Sequence, residues 1–202
     1  MKSINNYISE KLVINRNTKL QYKYFPETKH ELVDIIEQRI KEEGNACSLN
    51  DIDVSKIDNM SNLFFNSKFN GDISEWDVSN VKNMGYMFNK SKFNGDISQW
   101  DVSNVKYMNW MFAQSEFNQD ISKWNVSKVE NMWAMFTKSK FNQDISKWNV
   151  SNVTDMTYMF TYSDFNQDIS NWEININKTD ITDMFKGSPI AKRKKMLPKV
   201  IQ

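Results

Sequence analysis

The chain has 202 residues, 26 Lys and Arg against 25 Asp and Glu, and a net charge of +1, so no basic field is available for nucleic acid. Its 40% hydrophobic and 13% aromatic content excludes a disordered chain, and its length favours a single domain. A lone cysteine, Cys47, excludes an intramolecular disulfide and a zinc site built from cysteines.

Residues 1–50 do not repeat, and we interpret them as an N-terminal cap. Residues 20–25 alternate weakly and predict a short strand that ends at Pro26. A helix follows, because Thr28 and Glu31 form a capping box and Gly44 supplies a C-terminal stop. Its apolar face consists of Leu32, Ile35, Ile36 and Ile40. We expect this face to cover the end of the next unit, the alternative being a separate partner-binding helix.

Targeting signals are absent from the two ends of the chain. The N-terminal segment MKSINNYISEKLVINRN holds no apolar stretch of signal-peptide length, and no segment is apolar enough to span a membrane. The end of the chain lacks a hydrophobic sorting tail. We therefore expect a cytoplasmic protein, or a cell-surface or secreted one if the sequence is truncated.

The segment from about 51 to 188 repeats with a 24-residue period. One copy, residues 141–164, reads FNQDISKWNVSNVTDMTYMFTYSD, and one residue is inserted between Trp172 and Ile181. A fixed period of this length predicts a solenoid of about five to six coils. The most regular columns are aromatic: Phe69, Phe93, Phe117, Phe141 and Phe165, and Trp76, Trp100, Trp124, Trp148 and Trp172.

Within one coil, the pattern predicts an α+β unit. Residues 143–148 suit a short strand, and Met156, Met159 and Phe160 have the spacing of a single helical or 3₁₀ turn. Repeated Phe, Trp, Val and Met columns predict continuous core rows between coils. A row of methionines indicates core packing far more often than a metal or cofactor site.

Two polar columns raise the possibility of calcium binding or acid–base catalysis. No calcium loop accompanies them, and catalysis needs one asymmetric pair of carboxylates instead of five equivalent copies. We therefore expect these side chains to cap backbone N–H groups at turns. His30, the lone histidine, has no catalytic partners in the pattern, so we predict no enzyme, metal or cofactor. The columns are Asp72, Asp96, Asp120, Asp144 and Asp168, and Asn70, Asn94, Asn118, Asn142 and Asn166.

The phrase FNxDISxWDVSNVxxMxxMF resembles the repeat of bacterial and mycoplasmal surface lipoproteins, related to the BspA-like branch of leucine-rich-repeat proteins. The resemblance covers about residues 50–188. It implies a leucine-rich-repeat-like solenoid with a role in adhesion and protein–protein contact, and no catalytic residues. The printed sequence shows no signal peptide, lipobox or sorting signal, so of the family's properties we expect only the binding role.

Columns that vary between coils are the candidate binding surface. Each predicted helical turn carries a large aromatic residue expected to point outward, as a protein-binding hot spot or a sugar-stacking platform requires. We therefore expect a protein partner, with carbohydrate as one alternative. The other alternative is that these aromatic residues lie flat on each other and only cover the edge of the coil. The candidate residues are Tyr86, Tyr107, Trp110, Trp133, Tyr158 and Tyr162. A weaker candidate is the variable row Glu75, Gln99, Lys123, Lys147 and Asn171.

The last segment, residues 189–202, is rich in basic residues. Its run of Lys192, Arg193, Lys194 and Lys195 could contact an anionic partner. We favour the alternative of a solvated helix end or tail.

Overall fold

The computed structural model describes residues 22–202. Helix α1 spans Lys29–Glu43, and three 3₁₀ helices, Pro189–Lys192, Lys194–Met196 and Lys199–Ile201, lie at the other end. The region between them has no strand, only isolated parallel bridges between single residues, in the part of the chain described. Leu20 and Gln21 of the expected first strand lie outside the described residues. Within its remainder, Tyr24 alone forms a bridge, with Ile52.

Residues 45–188 form a stack of coils in which one sequence repeat makes one coil. The bridges join Asn83 to Tyr107, Tyr107 to Asn131 and Asn131 to Asp155, always one repeat apart in the sequence. The last bridge joins Asp155 to Asp180, one position beyond the regular period, because of the inserted residue. Each coil is therefore in register with its neighbours along the whole array.

Tight turns replace the helical turn expected at Met156–Phe160. The N–H groups of Met159 and Thr161 donate to carbonyls three residues earlier, at 3.0 Å, and Tyr158 has a positive φ of 59°. The intervening N–H groups donate to the next coil, Tyr158 to Thr182 at 3.0 Å. A helix would use all of these N–H groups internally, so stacking favours turns. The strand expected at 143–148 is likewise an irregular segment with a turn at 146–147.

Aromatic rings stack from coil to coil through the core. One file of phenylalanines has ring centroids 5.5–5.8 Å apart and nearly parallel planes. A second file repeats at 6.2–6.3 Å. Full burial of each such side chain contributes roughly 1.5–3 kcal/mol. The first file consists of Phe64, Phe88, Phe112, Phe136, Phe160 and Phe185, and the second of Phe69, Phe93, Phe117, Phe141 and Phe165.

Helix α1 packs against the first coil. The Thr28 hydroxyl accepts a hydrogen bond from the N–H of Glu31 at 3.2 Å, which is one half of the predicted capping box. The Glu31 carboxylate accepts from the N–H of Glu27 at 2.7 Å, one residue before the cap. Leu32 and Ile35 are buried in the same hydrophobic cluster as Ile52. Arg39, also buried, donates to both carboxylate oxygens of Asp51 at 2.7 and 2.9 Å.

The C-terminal segment covers the last coil. Ile190 and Leu197 are buried, and the N–H of Ile169 donates to the carbonyl of Met196 at 3.0 Å. The basic run from Lys192 to Lys195 is exposed, in agreement with a solvated end. The segment is thus a C-terminal cap, because its apolar side chains bury the face that the final coil leaves open.

Candidate functional site

The aspartate column binds the backbone of its own coil. The carboxylate of Asp144 accepts a hydrogen bond from the N–H of Ser146 at 2.8 Å, and the other four aspartates repeat this contact. Hydrogen bonds from the serine two residues on lower the pKa of Asp120, Asp144 and Asp168. The expected capping role is therefore confirmed for this column. No cluster of metal-binding side chains occurs within residues 22–202.

The asparagine column joins neighbouring coils instead of capping its own turn. The side-chain oxygen of Asn118 accepts a hydrogen bond from the N–H of Asn142 at 2.8 Å, and the same contact links the other members of the column. The last oxygen, of Asn166, is buried without a partner among the described residues. These amides therefore add one hydrogen bond between neighbouring coils at each step from Asn70 to Asn166.

The tryptophan column is structural as well. The indole N–H of Trp124 donates to the carbonyl of Ile97 in the preceding coil at 3.1 Å, and Trp124 is 3% exposed. Every other tryptophan of the column makes the equivalent bond, 27 residues back along the chain. The core columns thus satisfy their polar atoms internally and leave little for a ligand.

Three of the six candidate residues form one aromatic cluster. Tyr86 and Trp110 are stacked at 5.8 Å with planes 4° apart. Trp133 stands perpendicular to Trp110, at 5.6 Å and 89°. Positions 86, 110, 134 and 158 are equivalent in the repeat, and they hold Tyr86, Trp110, Ala134 and Tyr158. In the coil with Ala134, the aromatic side chain comes from the preceding residue, Trp133. We call Tyr86, Trp110, Trp133 and Tyr158 the aromatic file.

The candidate residues differ in exposure. Tyr107, Tyr158 and Tyr162 are 42%, 37% and 54% exposed, whereas Tyr86, Trp110 and Trp133 are half-buried. The indole nitrogen of Trp110 is enclosed and has no hydrogen-bond partner within residues 22–202. The expectation of outward-pointing side chains therefore fits the three tyrosines best. The stacked pair is half-buried because parallel rings in adjacent coils cover each other's faces.

Tyr107 stands where the other coils have an asparagine or aspartate that accepts a hydrogen bond within a turn. At the equivalent positions of other coils, an asparagine or aspartate accepts a hydrogen bond from the N–H two residues later, as Asn83 does from Gly85 at 2.9 Å. The same bond recurs at Asn59, Asn131, Asp155 and Asp180. Tyrosine cannot make this turn contact, so Tyr107 gives up a local bond and leaves its ring in solvent.

A neighbouring column, not among the predicted site residues apart from Tyr162, is equally accessible. We call Asn66, Lys90, Gln114, Lys138 and Tyr162 the lysine file; all of its members are exposed and have positive φ. Lys90 lies over the ring of Phe65, 6.0 Å from its centroid. The residue type of the lysine file varies between repeats, and this variation is the sequence signal that could have identified the file as a candidate surface. The weaker candidate row, from Glu75 to Asn171, is also exposed but lies at turns elsewhere in the coil.

The chain belongs to the family described as "Mycoplasma protein of unknown function, DUF285", whose model matches residues 36–138 and again residues 113–196. The two matches overlap within the repeat region, in keeping with a repeat protein, and the expected resemblance to mycoplasmal repeats is confirmed. Assignment to the BspA-like branch stays a proposal. No curated protein and no solved structure matches the chain. None of the helices in residues 22–202 is long and apolar enough to cross a membrane.

Proposed function

We propose that the protein is a non-catalytic scaffold that binds a protein partner through the aromatic file and the adjacent exposed tyrosines. The scaffold would be a leucine-rich-repeat-like solenoid related to the BspA-like branch. Tyr107 carries the proposal, since it departs from a column of turn-forming residues and is 42% exposed. Residues that give up local structure without a structural gain are typical of functional sites.

The rest of the coil supports this division of roles. The Asp, Asn and Trp columns direct their polar atoms to backbone groups of their own or a neighbouring coil. Large exposed side chains therefore concentrate in the columns that vary. Tyrosine and tryptophan are also the residues most enriched at the energetic centres of protein interfaces.

A carbohydrate-binding adhesin, the second candidate, needs exposed ring faces on which a sugar can stack. The rings of Tyr86 and Trp110 face each other, so they present mainly their edges to a ligand. Only the exposed tyrosines could offer a face. The stacking geometry therefore favours a protein partner over a sugar.

Replacing Tyr107 by asparagine separates binding from folding. An asparagine at this position would restore the side-chain acceptor found in the other coils, so Tyr107→Asn should leave stability unchanged or raise it by roughly 0.5–1.5 kcal/mol. Loss of a large exposed aromatic should weaken partner binding by about tenfold or more. The measurements are thermal melting and quantitative affinity capture from a host-cell lysate, followed by titration of the purified partner.

Lys123→Ala, in the weaker candidate row, is the matched control and should bind like the wild type. Equal binding by wild type and Tyr107→Asn would contradict the proposal. Binding to a glycan array that Tyr107→Asn abolishes, with no protein captured, would favour the adhesin instead.

A further inference from the structure

The aromatic file and the lysine file border one surface. Lys90 follows Tyr86 by four positions, and the residues between them, Met87, Phe88 and Asn89, are buried. The same spacing separates Trp110 from Gln114 and Tyr158 from Tyr162. The N–H of Tyr158 donates to the carbonyl of Thr182 at 3.0 Å, and the N–H of Tyr162 donates to the carbonyl of Lys186 at 2.7 Å. One tyrosine from each file therefore lies beside the same segment of the last coil.

Ion pairs neutralise the two margins of this surface. On one side, Lys82 pairs with Asp58 at 3.2 Å and Lys106 with Glu130 at 2.8 Å. On the other side, two further lysine–carboxylate pairs link residues of successive coils: Lys92–Glu116 at 3.0 Å and Lys140–Asp164 at 3.7 Å. Each margin thus carries no net charge from these groups.

Two lysines between the margins have no carboxylate partner in the described part of the chain. Lys90 contacts the ring of Phe65, and Lys138 forms no ion pair with any residue from 22 to 202. They are two coils apart, roughly 10 Å at the usual spacing of neighbouring strands. The surface between residues 82 and 140 therefore has an excess positive charge. Further along, Asp155 adds a negative charge and Asp183 is neutralised by Lys186 at 2.8 Å, so the excess is limited to these coils.

The aromatic file, like the unpaired lysines, favours a partner that carries carboxylates. Stacked rings such as Tyr86 and Trp110 leave mainly their edges for a ligand, and the edge of an aromatic ring carries the positive part of its quadrupole. Such edges favour carboxylates and the faces of other aromatic rings. Lysines and ring edges thus select for the same partner chemistry.

We propose that this surface binds an acidic protein segment that also carries aromatic side chains. The proposal rests on the proposed function and names its partner class. The carboxylates of the segment would pair with Lys90 and Lys138, and its rings would pack on Trp133 and the exposed tyrosines. Opposite charges across an interface contribute mainly to specificity and to the rate of association.

A fluorescent random copolymer of glutamate and tyrosine is a suitable probe, with polyglutamate and a lysine–tyrosine copolymer as comparisons. Fluorescence anisotropy should show that the glutamate–tyrosine copolymer binds best and that the lysine–tyrosine copolymer does not bind. The double variant Lys90→Ala/Lys138→Ala should weaken binding by about tenfold and reduce its salt dependence. Trp133→Ala should weaken binding of the glutamate–tyrosine copolymer more than that of polyglutamate.

The double variant Lys123→Ala/Lys147→Ala is the matched control, since it removes the same charge from exposed positions outside the surface. It should bind the copolymer like the wild type. An equal loss in both double variants would show nonspecific charge attraction and overturn the proposal. Tighter binding of heparin than of the glutamate–tyrosine copolymer, lost in Lys90→Ala/Lys138→Ala, would assign the site to an anionic glycan and also overturn it.

Failure of this inference can be distinguished from failure of the proposed function. If Tyr107→Asn and Trp133→Ala weaken capture of a cellular protein while the copolymer does not bind, the acidic partner is wrong and the binding surface remains. If no variant on the surface changes the binding of any protein, the proposed function is wrong as well.

Discussion

The tryptophan column and the aromatic file contain similar side chains in very different settings. Trp124 is 3% exposed and donates its indole N–H to a carbonyl of the preceding coil. Trp110, in the adjoining coil, is half-buried, and its enclosed indole nitrogen has no partner in the described part of the chain. The column repeats this contact in five coils, whereas the file varies in residue type, and its ring orientation changes between Trp110 and Trp133.

The difference shows how a repeat protein separates stability from recognition. A side chain whose polar atoms are used by the neighbouring coil must be the same in every coil, because any change breaks a contact that the stack needs. A side chain that only covers the outside of a coil is free to vary. Variation among otherwise identical repeats therefore marks the surface available for binding.

The largest expected effect is that of Trp124→Ala. It should lower the free energy of unfolding by about 3–5 kcal/mol, because it opens a cavity between two coils and removes the indole donor to the carbonyl of Ile97, which keeps only the N–H of Trp100. Urea denaturation measures the loss. Trp124→Phe keeps one aromatic ring in the core but removes the N–H and the second ring of the indole, so its loss should be smaller than that of Trp124→Ala. Equal losses in the two variants would mean that cavity formation adds nothing.

Asn118→Ala should have the next largest effect. It removes the acceptor for the N–H of Asn142, so it should cost about 1–3 kcal/mol in the same denaturation assay. Asn166→Ala is a matched control, since the oxygen of Asn166 accepts no hydrogen bond from residues 22–202. Its loss should be smaller, and an equal loss would show that the asparagine column does not act through contacts between coils.

Trp110→Ala should cost less than Trp124→Ala. The stacked contact with Tyr86 and the perpendicular contact with Trp133 are each worth roughly 0.5–1.5 kcal/mol beyond surface burial, and the variant also relieves an unpaired N–H. Chemical denaturation and the near-ultraviolet circular dichroism of the stack measure the change. If Trp110→Ala is as destabilising as Trp124→Ala, the distinction between column and file fails.

The smallest expected effect is the contribution of Asp144 to the loss of stability at low pH. Hydrogen bonds from Ser146 lower the pKa of Asp144 in the folded protein, so its contribution to stability is complete above the unfolded pKa of about 3.9 and is lost as the pH falls through the folded value. Melting temperature should be flat from about pH 7 to pH 5 and decline below about pH 4. Asp144→Asn keeps the turn acceptor and should reduce that decline slightly. A steeper acid decline in this variant would reverse the predicted sign.

The buried side chains could be predicted from the period because stacking repeats the same environment in every coil. The burial of Trp124 and the methionines and the capping role of the aspartates follow from the period in this way. It does not determine the backbone, since Met156, Met159 and Phe160 suit a helical turn as well as the tight turns observed. The choice depends on the carbonyls of the next coil, which accept hydrogen bonds from alternate N–H groups.

The candidate surface was predictable in part. Comparison of the repeats identifies Tyr107, Tyr158 and Tyr162, which are exposed, but it treats Trp110 as equally exposed. The half-buried stack of Tyr86 and Trp110 depends on the distance between coils, which no local pattern contains. The unpaired state of Lys90 and Lys138 within the described residues likewise depends on which lysines meet carboxylates in the next coil.

Periodicity alone was enough to establish the repeating unit, its core columns and the polar columns that serve the backbone. These follow from the sequence because a fixed period gives equivalent residues equivalent neighbours. The turns, the asparagine contacts between coils, the packing of the basic C-terminal segment and the charge of the variable surface required the folded structure. Each depends on contacts between residues of different coils, where geometry selects among side-chain partners that the sequence leaves equally available.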